Sequence, residues 1–274
     1  MAGLDPVART MLIPLWARAE ETRKKRPLVH DERAREICDR IDFDFGIFRH
    51  AHGSQIGCVV RGLLYDAWTA DFLRRHPHGT VVEIGAGLST RFERVDNGTA
   101  RWVDVDLPAA IALRAEHIRP TERRRFVAVS AADPSWADRV ERELTRPCFF
   151  VCEGTFMYLA PDDVKAFLRT LADRFAPTAI ALDSIAPSVV RYQRLHDAAK
   201  HMMDAPFRWG SSDIRELECW DSRLVVDEVL TLPDIAERFA ARVSFHHRMA
   251  GRFVRFVAPT FANAYRIAKV LVRR

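Results

Sequence analysis

Lysine is scarce in this chain. Of its 42 basic residues only five are lysines, and the other 37 are arginines. They are scattered among 37 acids, and the one dense run, Arg23-Lys24-Lys25-Arg26, is short. The formal charge of +5 therefore reads as a solvated basic face, and no nucleic-acid partner is expected. Long apolar runs are missing too. No stretch of about 18 uninterrupted apolar residues occurs, which excludes a spanning helix, and no membrane partner is expected. Asp5 and Pro6 follow close behind Met1 where a leader would be basic and then apolar, so a cytoplasmic location is expected. Cysteines are few and odd in number, with no C-x-x-C pair, which suits free thiols in a reducing compartment. Cys148 and Cys152 flank Phe149-Phe150-Val151 and read as small buried apolar residues. A metal pair there would need two further ligands, so no metal is expected. What is present is ordinary for a sizeable core: 48% hydrophobic and 29% charged over 274 residues. That length suits one large domain, or a core with an appended cap.

The first 75 residues carry helical spacing. Helices are predicted over 6–22, with Val7, Met11, Leu12, Leu15 and Trp16 in phase, over 31–40, and over 57–75, with Val60, Leu63, Leu64, Ala67 and Trp68 in phase. After Pro77 the texture changes. Short apolar runs at 80–84, 101–105, 125–129, 148–152 and 179–183 alternate with helical patterns at 107–118, 135–144 and 161–175. In the last of these Val164, Phe167, Leu168, Leu171 and Phe175 form one stripe, and Pro161, Asp162 and Asp163 suit its first turn. Strands separated by helices of this length predict an α/β fold with a parallel, helix-covered sheet. Beyond 184 the sequence predicts a long helix over 187–203, a strand over 223–230, helical material from 234 and a final strand near 264–272.

The first strand of the sheet runs into Glu83-Ile84-Gly85-Ala86-Gly87-Leu88-Ser89-Thr90-Arg91. Glycines at 85 and 87 allow a sharp turn and close approach of a ligand, and the helix start that follows favours an anion. The second strand ends in Asp104-Val105-Asp106, and an acid at about this distance hydrogen-bonds ribose hydroxyls in nucleotide-binding α/β folds. Two details separate the ligands that share this pattern. The dinucleotide loop wants a third glycine, and Thr90 stands there. A pyrophosphate would also have Glu83 as a poor neighbour, whereas the ammonium of S-adenosylmethionine (SAM) suits an acid.

The pieces VVEIGAGLSTRFERVDNG (81–98), RWVDVDLPAAIALR (101–114), SAADPSW (130–136) and FFVCEGTFMYL (149–159), with ARTMLIPLWARAEET (8–22), PLVHDERA (27–34) and VVRGLLYDAWTADFL (59–73) upstream, resemble the leucine carboxyl methyltransferase-like superfamily. They are most similar to its bacterial branch of tetracenomycin-type polyketide O-methyltransferases. The resemblance implies a class I SAM-methyltransferase fold: a Rossmann-like, mostly parallel seven-stranded sheet, with residues 1–75 as a helical cap, 76–274 as the core and a lid at about 187–215. It implies SAM as cofactor, leaving S-adenosylhomocysteine (SAH). It gives Arg61 the methionine carboxylate, Glu83, Gly85 and Gly87 the methionine loop, Asp106 the ribose, Ser130 and Ala131 the adenine, and Glu153 the amino group. Ala131-Ala132 stands where some members have Asp-Leu, which leaves the adenine amine without that side-chain partner.

Each role has a plainer reading. Arg61 could cap its helix against Asp66 or Asp71. Arg91 could be a structural ion-pair partner, and Asp104, on the same strand face as Asp106, is either structural or a second ribose ligand. Tyr158 and His196 are the candidates for a catalytic role, and with Tyr192 and Trp209 they are the candidate substrate wall; surface exposure or packing would explain any of them. The expected reaction is methyl transfer to a carboxylate or hydroxyl of a small, aromatic or polyketide-like acceptor. Transfer to a protein C-terminus and a non-catalytic SAM-binding module are the alternatives.

Overall fold

The computed structural model describes residues 5–257 and 259–274. Helices α1 (Pro6–Arg9), α2 (Leu12–Thr22), α3 (Glu32–Arg40) and α4 (His52–Arg75) come first. A single helix over 6–22 was expected; the chain breaks at Thr10 and Met11 instead. Pro14 has no N–H to donate, so the helix restarts at Leu12 and places the proline in a first turn, where nothing is lost.

Then strands alternate with helices: β1 (Thr80–Ile84), α5 (Arg91–Val95), β2 (Arg101–Asp106), α6 (Pro108–His117), β3 (Arg124–Ala128), α7 (Trp136–Glu141), β4 (Cys148–Cys152), α8 (Pro161–Phe175) and β5 (Thr178–Ile185). The remainder is α9 (Pro187–Arg191), α10 (Leu217–Trp220), β6 (Leu224–Thr231), α11 (Leu232–Arg238), α12 (Phe245–Val257), α13 (Pro259–Ala262) and β7 (Tyr265–Val272).

The seven strands form one sheet in the order β3-β2-β1-β4-β5-β7-β6, parallel except at β7, which runs antiparallel to both neighbours. Strands β1 and β4 are buried along their whole length, which is why they read as unbroken apolar runs without alternation. On one face the stripe of α8 closes a core with Trp136, whose ring stacks on Phe167 at 4.3 Å. On the other face α4 lays Val59, Val60, Leu63, Leu64 and Phe72 on Val81, Phe149 and Val151, so residues 52–75 share a core with the sheet. Strand order reverses between β1 and β4, which opens a crevice at their carboxyl ends.

The long helix expected over 187–203 does not form. It stops at Arg191, and two 3-10 turns follow, Gln193–Leu195 and Ala199–His201. Polar side chains turned inward explain the break. The Gln193 amide donates to the Ala205 carbonyl and accepts from the Phe207 N–H, while Asp197 accepts from the Ser54 N–H and hydroxyl. No helix of the described residues is long and apolar enough to cross a membrane.

Candidate functional site

A cavity of about 700 Å³ lies over the carboxyl ends of β1, β2, β4 and β5. Its floor is the loop after β1. Gly85 and Gly87 have φ of +68° and +45°; a Cβ would stand 2.0 Å from Thr155 Oγ1 at the first and 2.8 Å from Met11 Cβ at the second. Both the backbone conformation and the space therefore demand glycine. The loop is held from below. Asp106 Oδ2 accepts from the Gly87 N–H at 2.6 Å and its Oδ1 from the Leu107 N–H at 2.7 Å. Arg114 donates to the Gly87 and Ser89 carbonyls at 2.7 and 2.8 Å and pairs with Asp104 at 2.9 Å. Asp104 also pairs with Arg124 at 2.8 Å and is fully buried. Of its two readings the structural one holds: Asp104 braces the arginine that braces the loop.

One wall is a chain of alternating charges. Arg61, projecting from α4, donates Nε to Glu153 at 2.8 Å and Nη1 to the Tyr265 hydroxyl at 2.5 Å, and its Nη2 edge lies against Gly154. Tyr265 donates onward to Asp183 at 2.5 Å. Arg91 joins three acids: Asp66 at 2.8 Å, Glu153 at 2.5 Å, and Glu83. The helix-capping alternatives for Arg61 fail, because Asp66 is taken by Arg91 and Arg94 and Asp71 by Arg74 and Arg75.

Burial alone would raise the Glu153 carboxyl, yet the Arg61 and Arg91 guanidiniums hold it at about 2. Burial pushes Glu83, Asp106 and Asp183 up, each against an opposing guanidinium or amide. One oxygen, Glu83 Oε2, is buried in this wall without a hydrogen-bond partner. An unmet acceptor of this kind suits an incoming N–H donor. The donor set as a whole fits a ligand with an ammonium beside Glu83 and Glu153, a carboxylate near Arg61 and a diol near Asp106.

The rest of the cavity is mostly apolar, with Ile56, Val60, Met157, Phe207, Leu232 and Val243 among its walls. Tyr158 and His196 both face it. Burial pushes the Tyr158 hydroxyl up to about 12 and the His196 imidazole below its ordinary value. His196 Nδ1 accepts the Ala199 N–H at 3.2 Å, so the neutral ring carries its proton on Nε2. It presents a donor to the cavity, not a base.

The other expected wall residues are elsewhere. Trp209 is buried in the core on the far side of the sheet, with Phe156 and Trp220 rings 6.3 and 6.2 Å away. Tyr192 is exposed under the Arg191 guanidinium, and with the helix broken it shares no face with His196. Ser130 and Ala131 follow β3 and lie outside the cavity wall; the Ser130 hydroxyl accepts from the Ala132 N–H, and Ala131 packs on the core. Sequence reasoning missed Asp183, Tyr265 and Asp66. No group of side chains able to hold a metal ion occurs among the described residues.

Comparison with known proteins points the same way. The family profile described as leucine carboxyl methyltransferase matches residues 11–172. The tetracenomycin polyketide synthesis O-methyltransferase TcmP of Streptomyces glaucescens is 32% identical over 216 residues, 78% of this chain and 79% of that one. A DUF574 family protein from Streptomyces avermitilis superposes with a TM-score of 0.58 at 15% identity, covering 94% and 97% of the two chains. A SAM-dependent methyltransferase from Anabaena variabilis does so at 0.50 and 12% identity, covering 75% and 84%. These two structural likenesses speak to the fold.

Proposed function

Because the chain belongs to the leucine carboxyl methyltransferase family, we propose that it transfers the methyl group of SAM to an oxygen of a small, apolar, aromatic or polyketide-like acceptor. The observation that carries this reading is the division of one cavity into a charged end, built by Arg61, Glu83, Asp106 and Glu153, and an apolar end. The first suits the ammonium, carboxylate and ribose of SAM; the second suits a hydrophobic acceptor better than a flexible protein terminus.

SAM, when bound, supplies a methyl group on a sulfonium, which the acceptor oxygen displaces along the S–CH3 line. The chain's own contribution is to hold both partners in that line and to exclude water. No side chain of the cavity is suited to take a proton. Glu153 is committed to Arg61 and Arg91, Tyr158 stays protonated, and the free lone pair of His196 is spent on Ala199. The acceptor is therefore best supplied already ionised, as a carboxylate of pKa about 4 is at neutral pH. His196 Nε2–H and the Tyr158 hydroxyl are the donors placed to orient it.

Incubation with methyl-labelled SAM and a panel of apolar aromatic acids and phenols tests this. Label should enter the organic products, mainly as esters that mild alkali cleaves. Transfer confined to peptide C-termini, or to none of these compounds, would contradict the reading.

A further inference from the structure

We propose that the rim of the cavity docks on an anionic lipid surface, so that an apolar acceptor passes between bilayer and cavity without crossing water. The missing apolar runs exclude only a spanning helix, and none is needed.

The evidence is where the exposed apolar surface lies. Among the described residues the large exposed hydrophobics fall in two segments only: Tyr192, Leu195 and Met203 in one, and Phe245, Phe253, Phe256 and Val257 in α12. Both segments border the cavity, the first through Val189, Leu195 and His196 and the second through Ala250 and Gly251. Isolated exposed hydrophobics need no explanation, but a concentration around one cavity mouth does.

In α12 the positions Phe245, Met249, Phe253 and Phe256 share one helical stripe. It faces away from α11, whose Pro233 lies on the opposite side, against Gly251. Arg248, Arg252 and Arg255 flank the stripe, and α12 contains no acid. Arg252 and Arg255 pair with Glu237 and Asp234 at 2.6 and 2.5 Å, which fixes the helix on α11. The facing segment adds exposed Arg191, Arg194 and Lys200, and its one acid, Asp197, is bound to Ser54. An apolar stripe edged by cations is the pattern of a helix that lies in the headgroup region of an anionic membrane. A second copy of this rim would bring like charge against like, with no free acid to relieve it.

Co-sedimentation with vesicles tests the inference without reference to methyl transfer. The chain should bind phosphatidylcholine vesicles containing phosphatidylglycerol, bind those of phosphatidylcholine alone far less, and lose binding as salt is raised. The double variant Phe253→Ser/Phe256→Ser should weaken binding on the order of a hundredfold. Its Tm and SAH affinity should stay those of the wild type, because neither ring lines the cavity. Absence of binding to the anionic vesicles overturns the proposal. So does equal binding to both kinds, or a variant that binds vesicles normally while a wild-type dimer, seen by light scattering, is lost.

Discussion

Arg61→Met should abolish detectable methyl transfer while the chain stays folded. The guanidinium links α4 to Glu153 and Tyr265 in a nearly dry wall. Without it Glu153 still has Arg91, and Asp183 keeps the Gly154 N–H and the Tyr265 hydroxyl. The fold therefore loses little. A bound methionine carboxylate has no such reserve. Burying it without its partner costs about 3–5 kcal/mol, which is an affinity loss of two orders of magnitude or more. SAH affinity by calorimetry and Tm by scanning, on the same variant, separate the two roles. A normal affinity with a lowered Tm would leave Arg61 as a structural ion-pair partner only.

Arg91→Met should show the reverse balance. Arg91 is 2% exposed and is the junction of Asp66, Glu83 and Glu153. Asp66 keeps Arg94, and Glu153 keeps Arg61. Glu83 is left with the Ser89 hydroxyl at 3.3 Å and no cation within ion-pair distance. An uncompensated buried carboxylate costs about 3–5 kcal/mol, enough to lower Tm on the order of 10 °C in a chain of this size. The deficit should depend on pH. With Arg91 gone, burial keeps the Glu83 pKa above its unfolded value. The penalty is then absent below the unfolded pKa and grows as pH rises toward the folded one. Wild type and variant should differ more in Tm at pH 8 than at pH 5. A constant difference would mean that Glu83 is not the group left stranded.

Much of this site is legible locally. A strand, two glycines that need positive φ, and an acid at the end of the next strand sit within a short span, so Gly85, Gly87 and Asp106 stand out from sequence alone. Asp183 and Tyr265 do not. They meet because β7 enters the sheet antiparallel beside β5, which sets Tyr265 opposite Ile185, and 204 residues separate Tyr265 from Arg61. No periodicity or spacing encodes such a contact. Arg91 was legible as an ion-pair residue, but its three acids come from α4, β1 and the end of β4, so its place as the junction needed the fold. The region after β5 misleads for a different reason. Apolar residues there recur at helical spacing, yet Gln193 and Asp197 spend their polar groups on distant backbone and break the helix. Trp209 follows from the same departure: the chain passes beneath the sheet to Phe156 and takes the indole with it.

The central claim is that the charged end of this cavity is a SAM site. Calorimetric titration of SAH into the wild-type chain tests it without knowledge of the acceptor. A single site per chain, unaffected by excess NAD, is the predicted result. No heat with SAH, or binding of NAD in its place, would contradict it.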